Sequence, residues 1–284
     1  MALPATAPAR PDCPALTLAE RVAALLPARA GSGWIAEPYR PWWTARHPAA
    51  RLVQGERALV LVANGHSWNT EVGWQLPGRE PTRPDLVVRS TAPGRVAREA
   101  LRLVLPVADD EAAARVTDAA AARHRLLYEI GAAMRAQGAA TWERAGLLVN
   151  ASTVAWGAGG VRYSATLHGA KPVCDVQITG PVRAVERACA LFLPERAELT
   201  PARALDGIGG RLERRMAAFL GRYVDVQQEP GRGGLSFGTR PGVYGHAVPA
   251  ADPGGRAHDT TPVSVELHGV GVDFLVSLAP RLTR

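Results

Sequence analysis

The chain of 284 residues is 47% hydrophobic and 21% charged, the composition of a folded protein and not of a disordered one. No apolar run approaches the roughly 20 residues a helix needs to cross a bilayer, and Met1 to Pro14 lacks the apolar core of a secretory signal, so a cytoplasmic protein with no membrane partner is expected. The net charge of +7 admits a polyanion as partner. However, Lys171 is the single lysine among 33 basic residues, and such arginine-, alanine-, glycine- and proline-rich usage is also what codon bias in a GC-rich genome produces.

A first helix is predicted over 17–26, opened by Thr17-x-x-Glu20 as a capping box. From 34 to 47 the aromatics Trp34, Tyr39, Trp42 and Trp43 interleave with Arg40, Arg46 and His47 among prolines, which reads as a loop. Strands at 59–63 and 67–76 flank Asn64-Gly65, a dipeptide that favours a type I′ hairpin because both residues accept positive φ. A third strand is expected over 85–90. Pro93 then opens a helix, where its missing N–H goes unneeded. Val96, Ala100 and Leu103 form the apolar stripe of this helix, and Arg95, Arg98 and Arg102 share its opposite face.

A long helix is predicted over 110–137, with acids against its positive end and a stop at Gly138. Its apolar face runs through Val116, Ala120, Leu127, Ile130 and Met134. A glycine-rich turn at 157–160 separates further strands. Beyond it, a helix over 209–220 stops at Gly221, and strands at 223–226 and 235–237 surround a turn at 230–234. From Pro262 a strand-like run passes into an apolar helical run that closes on Pro280.

Sliding the chain on itself by 88 residues aligns 59–106 with 147–194, with 12 identities in 48 positions, including Trp68 with Trp156. The helical ends PGRVAREALRLVLP and PVRAVERACALFLP match best, and the run from Pro262 is a fainter third copy. The fold class expected is therefore α+β: three tandem divergent units, 1–106, 107–194 and 195–284, each a helix, a small antiparallel sheet of about three strands and a second helix.

Catalytic constellations are sparse. Cys13, Cys174 and Cys189 stand singly, so no CxxC pair or zinc knuckle can be drawn, and Cys174 and Cys189 read as buried apolar residues. His66 sits at a hairpin tip with no acid or base partner in view. The glycine runs at 207–210 and 231–234 fit neither phosphate-binding spacing, and Lys171 reads as a solvated loop cation. No cofactor is implied. His246, His258, Asp259 and His268 could form an open metal set, although their spacing matches no HExxH pattern.

Charge is unevenly spread. Residues 1–106 hold 13 basic against 8 acidic side chains and five of the seven tryptophans. Aromatic faces and guanidinium groups together suit single-stranded nucleic acid, and the same tryptophans suit, more commonly, a proline-rich loop packed over the open side of a sheet. The leading expectation is therefore a non-catalytic DNA- or RNA-binding protein, gripping through Trp34, Arg40, Trp42, Trp43, Arg46, Arg95, Arg98 and Arg102. The second is a protein-interaction or self-assembly module in which repeated sheets present edges or faces to a partner or to another copy. The third is a metal-dependent enzyme using the histidines near the C-terminus.

Overall fold

The computed structural model describes residues 13–40, 49–63, 68–145, 151–194, 207–229, 234–239, 242–249 and 258–284. The chain divides into two compact units, 1–104 and 105–284.

In the first unit, α1 (Pro14–Ala23) is followed by a meander of five antiparallel strands: β1 (Ile35–Tyr39), β2 (Ala49–Gln54), β3 (Arg57–Ala63), β4 (Thr70–Gln75) and β5 (Leu86–Val88). The helix α2 (Pro93–Glu99) comes after them. The first helix starts earlier than its sequence signal suggests. Pro14 takes an opening position, where its lost N–H does not matter, and Thr17 lies inside the helix instead of capping it. Leu52, Leu59 and Trp74 oppose one another across β2, β3 and β4 and are buried. The helix α1 lies against β1, β2 and β3. Both β1 and β2 escaped the sequence reading, because prolines and scattered charges conceal the alternation there.

The far side of β4 is closed locally. The Trp74 N–H donates to Asp85 Oδ2 at 3.1 Å, in the place a neighbouring strand would offer a carbonyl. The Trp74 carbonyl accepts from Arg79 Nη1 at 2.7 Å, and the Arg79 guanidinium lies 3.2 Å from the centroid of the Trp74 ring. After α2 the helix passes through a π turn, Ala100–Val104. The extra residue rotates the later side chains about the helix axis. Arg102 is consequently buried and Leu103 half-buried, the reverse of the predicted faces.

The second unit contains α3 (Leu105–Ala113), α4 (Ala119–Ala136), β6 (Thr141–Ala145), β7 (Ala151–Ala158), β8 (Val161–His168), β9 (Val173–Pro181) and α5 (Val182–Cys189). It continues with α6 (Arg211–Leu220), β10 (Val226–Gln228), β11 (Leu235–Phe237), β12 (Tyr244–Pro249), β13 (Pro262–Gly271), α7 (Val272–Ser277) and α8 (Ala279–Leu282). The helix expected over 110–137 is two helices. Asp118 ends the break by accepting the Ala121 N–H at 2.9 Å as the cap of α4, and Val116 is exposed between them.

All eight strands form one antiparallel sheet in the order β10-β11-β12-β13-β9-β8-β7-β6. Each half is a helix, a four-strand meander and a helix, and the halves meet where β9 pairs with β13, from Pro181↔Pro262 to Val173↔Gly271. The seam is symmetric in its details. The first N–H of α5, on Val182, donates to the Thr261 carbonyl just before β13. The first N–H of α7, on Val272, donates to the Pro172 carbonyl just before β9, at 2.8 and 2.9 Å respectively. Arg215 of α6 adds an ion pair to both carboxylate oxygens of Glu186 on α5, and reaches Asp259 at 2.8 Å.

The expectation of three tandem units with sheets of about three strands is thus overturned. One sheet has five strands and the other has eight, because two copies fuse through their last strands. Each half of the larger sheet also contains a strand the sequence reading missed, β6 in one and β12 in the other. The gapless repeat holds from β5 and α2 to β9 and α5 but not further upstream. Trp68 is 85% exposed before β4, whereas its supposed counterpart Trp156 is fully buried in β7, stacked on Tyr163 at 5.2 Å.

The Arg215 guanidinium, by hydrogen bonding to Asp259, holds that carboxyl below its ordinary value. A lowered folded value contributes stability above the unfolded pKa of about 3.9 and loses it as pH falls through the lower folded value. Arg215→Met is therefore expected to flatten the acid limb of a plot of melting temperature against pH below about pH 4, read by circular dichroism. An unchanged acid limb would contradict this pairing.

Candidate functional site

Burial alternates residue by residue along β7, β8, β9, β12 and β13. One face of the eight-stranded sheet carries the core, including Trp156, Tyr163, Leu167, Ile178, Val265 and Leu267. The opposite face carries Thr153, Ser164, Arg162, Gln177, Thr179, Ser264 and Glu266, all partly or fully exposed. Such a half-solvated antiparallel sheet is a ready recognition surface. Two constellations stand out on it.

The first lies on the seam. A bulge in β13 between Leu267 and Val270 places His268 and Gly269 opposite the single residue Asp175 of β9. Gly269 takes φ of +72°, a conformation that suits glycine and lets the strand turn back into register. His268 stands across from Asp175, whose Oδ1 lies 2.9 Å from His268 Nδ1, and the bulge after it returns Val270 to the core row. His168 of β8 approaches the other oxygen, Oδ2, at 3.1 Å. Glu266 comes within 4.8 Å of the same group. His246 of β12 faces Glu266 in register, stands 5.6 Å from His268 ring to ring, and bonds through Nδ1 to Glu229.

The second lies on the same face near the β6 edge. Trp142 of β6 is 64% exposed. With Gly157, Gly160, Gly180, Thr179 and Arg162 it lines a groove of about 720 Å³. The glycines form its floor; at Gly180 a side chain would press on the Gly160 carbonyl at 2.9 Å.

The sheet edges differ in what they offer. Among the described residues, β1 carries Pro38, and β5 and β10 are three residues each. All are short or proline-bearing edges, of the kind that resist strand addition. β6 has five residues and no proline.

The residues expected to grip nucleic acid are scattered. Trp34 is buried, donates its indole N–H to the Pro27 carbonyl at 3.1 Å and lies under the Arg57 guanidinium. Arg102 is buried with Glu99 at 3.2 Å, and Arg98 is half-buried. Arg40 and Arg95 are exposed. Trp42, Trp43 and Arg46 lie outside the described residues, as do His66 and 231–233. Arg51 and Arg79 of the same unit are paired with Glu37 and Asp85.

The histidines expected as a metal set divide. His246 and His268 meet, whereas Asp259 is engaged by Arg215 and Arg183, beside the exposed His258. Asp175, Glu229 and His168 were missed, because an i, i+2 Glu266-x-His268 pattern on a strand gains meaning only once the partner strand is known. Lys171 pairs with Asp110 at 2.7 Å. No helix among the described residues is long and apolar enough to cross a membrane.

Comparison of the chain with known family models, with curated proteins and with solved structures finds no match. The geometry alone therefore carries the functional reading.

Cys174 and Cys189 are buried as expected, and burial pushes both thiols well above their ordinary range. Cys174 Sγ lies 3.4 Å from the Val270 carbonyl at the bulge. Neither can supply a thiolate nucleophile. Maleimide labelling and mass spectrometry should find both unmodified in the native chain and both modified in denaturant. Native labelling at Cys174 would contradict the closed seam.

Proposed function

We propose that the protein is a non-catalytic protein-interaction module that takes an extended segment of a partner along β6, with Trp142 as the anchor. The observation that carries this reading is the coincidence of the least blunted sheet edge among the described residues with a solvent-exposed tryptophan. An edge strand offers main-chain N–H and C=O groups to an added strand, and alternate side chains of that strand then fall on the flanking face. There Trp142 and the glycine floor suit an apolar side chain, and Arg162 and Arg144 suit carboxylates beside it. Tryptophan and arginine are the residues in which interface energy concentrates. Exposed Arg144 and Arg162 beside Trp142 favour an acidic segment.

The test is selection from a display library of random ten-residue peptides. Wild-type protein should enrich sequences with an apolar residue flanked by acids. Trp142→Ala should weaken their binding about 30-fold, as loss of an interface hot spot does. Equal enrichment by Trp142→Ala would reject this reading.

Nucleic-acid binding by residues 1–104 is the second reading. Its support is the charge excess of that unit together with the exposure of Arg40 and Arg95. It is the weaker one, because several arginines of the unit are locally neutralised by Glu37, Asp85 and Glu99. Fluorescence anisotropy with labelled single- and double-stranded oligonucleotides at about 50 and 200 mM salt separates the two, since phosphate contacts lose orders of magnitude over that range. Salt-sensitive binding impaired by Arg40→Ala would restore it.

A further inference from the structure

We propose that the seam of the eight-stranded sheet is a binding site for a divalent transition-metal ion, held by Asp175, Glu266 and His268 with His246 as a fourth ligand. This site is independent of the β6 reading and occupies a different place on the face.

The ligand set rests on geometry. Asp175, Glu266 and His268 each offer one ligand atom, and these atoms lie within 4.8 Å of one another. An ion placed among them replaces the proton that His268 Nδ1 and Asp175 Oδ1 share at 2.9 Å, and that proton leaves to solvent. Asp175, Glu266 and His268 come from two adjacent strands whose main-chain bonding fixes their spacing, Glu266 and His268 share the outward face by alternation, and His246 comes from the next strand, β12. The β13 bulge lies beside this cluster, and bulges recur next to functional sites.

A second layer is present as well. His246 bonds to Glu229 through Nδ1, which leaves Nε2 as the nitrogen it can offer. A histidine ligand whose other nitrogen donates to a carboxylate is the usual support of a metal site, because the carboxylate fixes the tautomer and raises the basicity of the ring. His168 supports Asp175 in a similar way at its second oxygen.

Imidazole and carboxylate together select a first-row divalent ion such as zinc, whereas magnesium and calcium seek all-oxygen sites. Because Asp175 belongs to the first half and Glu266, His268 and His246 to the second, the ion bridges the halves. Its expected role is to staple the sheet at the pair of strands that joins them.

The experiment is isothermal titration calorimetry of the tag-free full chain with zinc chloride, alongside thermal unfolding. About one ion per chain should bind, and His268→Ala and Glu266→Gln should each weaken binding about 100-fold, with His246→Ala weakening it about 10-fold. Glu266 is exposed, so its exchange for glutamine tests the site even where His268→Ala impairs folding. His258→Ala should bind as wild type does. At 100 times the dissociation constant, zinc should raise the melting temperature of the wild type by about 5–10 °C. Hydrogen exchange should slow on peptides that cover β9 and β13. Absence of zinc binding, retention of full affinity in Glu266→Gln, or equal binding of magnesium would each overturn the proposal.

Discussion

The antiparallel pairing of β9 with β13 determines most of what the second unit can do. Each strand alternates core and solvent side chains, so the register at this seam decides whether the outward rows of the two halves line up. With Val176 opposite Leu267 and Ile178 opposite Val265, the core rows meet and the polar rows continue across the join. The same register brings Pro172 and Thr261 beside the first turns of the helices that extend the opposite strands, where their carbonyls satisfy amide groups that would otherwise lack partners. A slip of one residue would invert every outward side chain of one half and dissolve the cluster around Asp175.

The first unit is a helix and a five-strand meander, and its last strands end in a different way. Where β9 receives β13, β4 receives only the three residues of β5, and beyond them the Asp85 carboxylate and the Arg79 guanidinium take over the roles of a neighbouring main chain. The two side chains also pair with each other, at 3.4 Å. Side chains that imitate strand partners satisfy the main chain without extending the sheet. The meander thus ends in a joined edge in one unit and a sealed edge in the other.

Much of the local structure was legible in the sequence. Pro93 marks the start of α2, the strand at 235–237 is bounded as expected, and the buried cysteines agree with their apolar surroundings. The failures have both local and remote causes. Arg102 looks like part of a solvated face until a π turn changes the phase of the helix. Trp34 looks like a stacking platform, yet its indole N–H is held by Pro27 and its ring by Arg57. His268 carries no signal by itself, because its meaning depends on Asp175, which lies in the other copy. The repeat itself was visible, but nothing in a single strand states which edge it will join.

The seam also has a kinetic consequence. The strand β9 ends at Pro181, and its partner begins only at Pro262, so this pairing is the most distant one between strands among the described residues. Contacts of high sequence separation form late, since loop entropy has to be overcome before they contribute. While the first half waits, the outer main-chain groups of β9 form an open template for any other strand, including β9 of a neighbouring molecule. The same edge that builds the native sheet is therefore the site at which crowded, incompletely made chains would exchange strands and entangle.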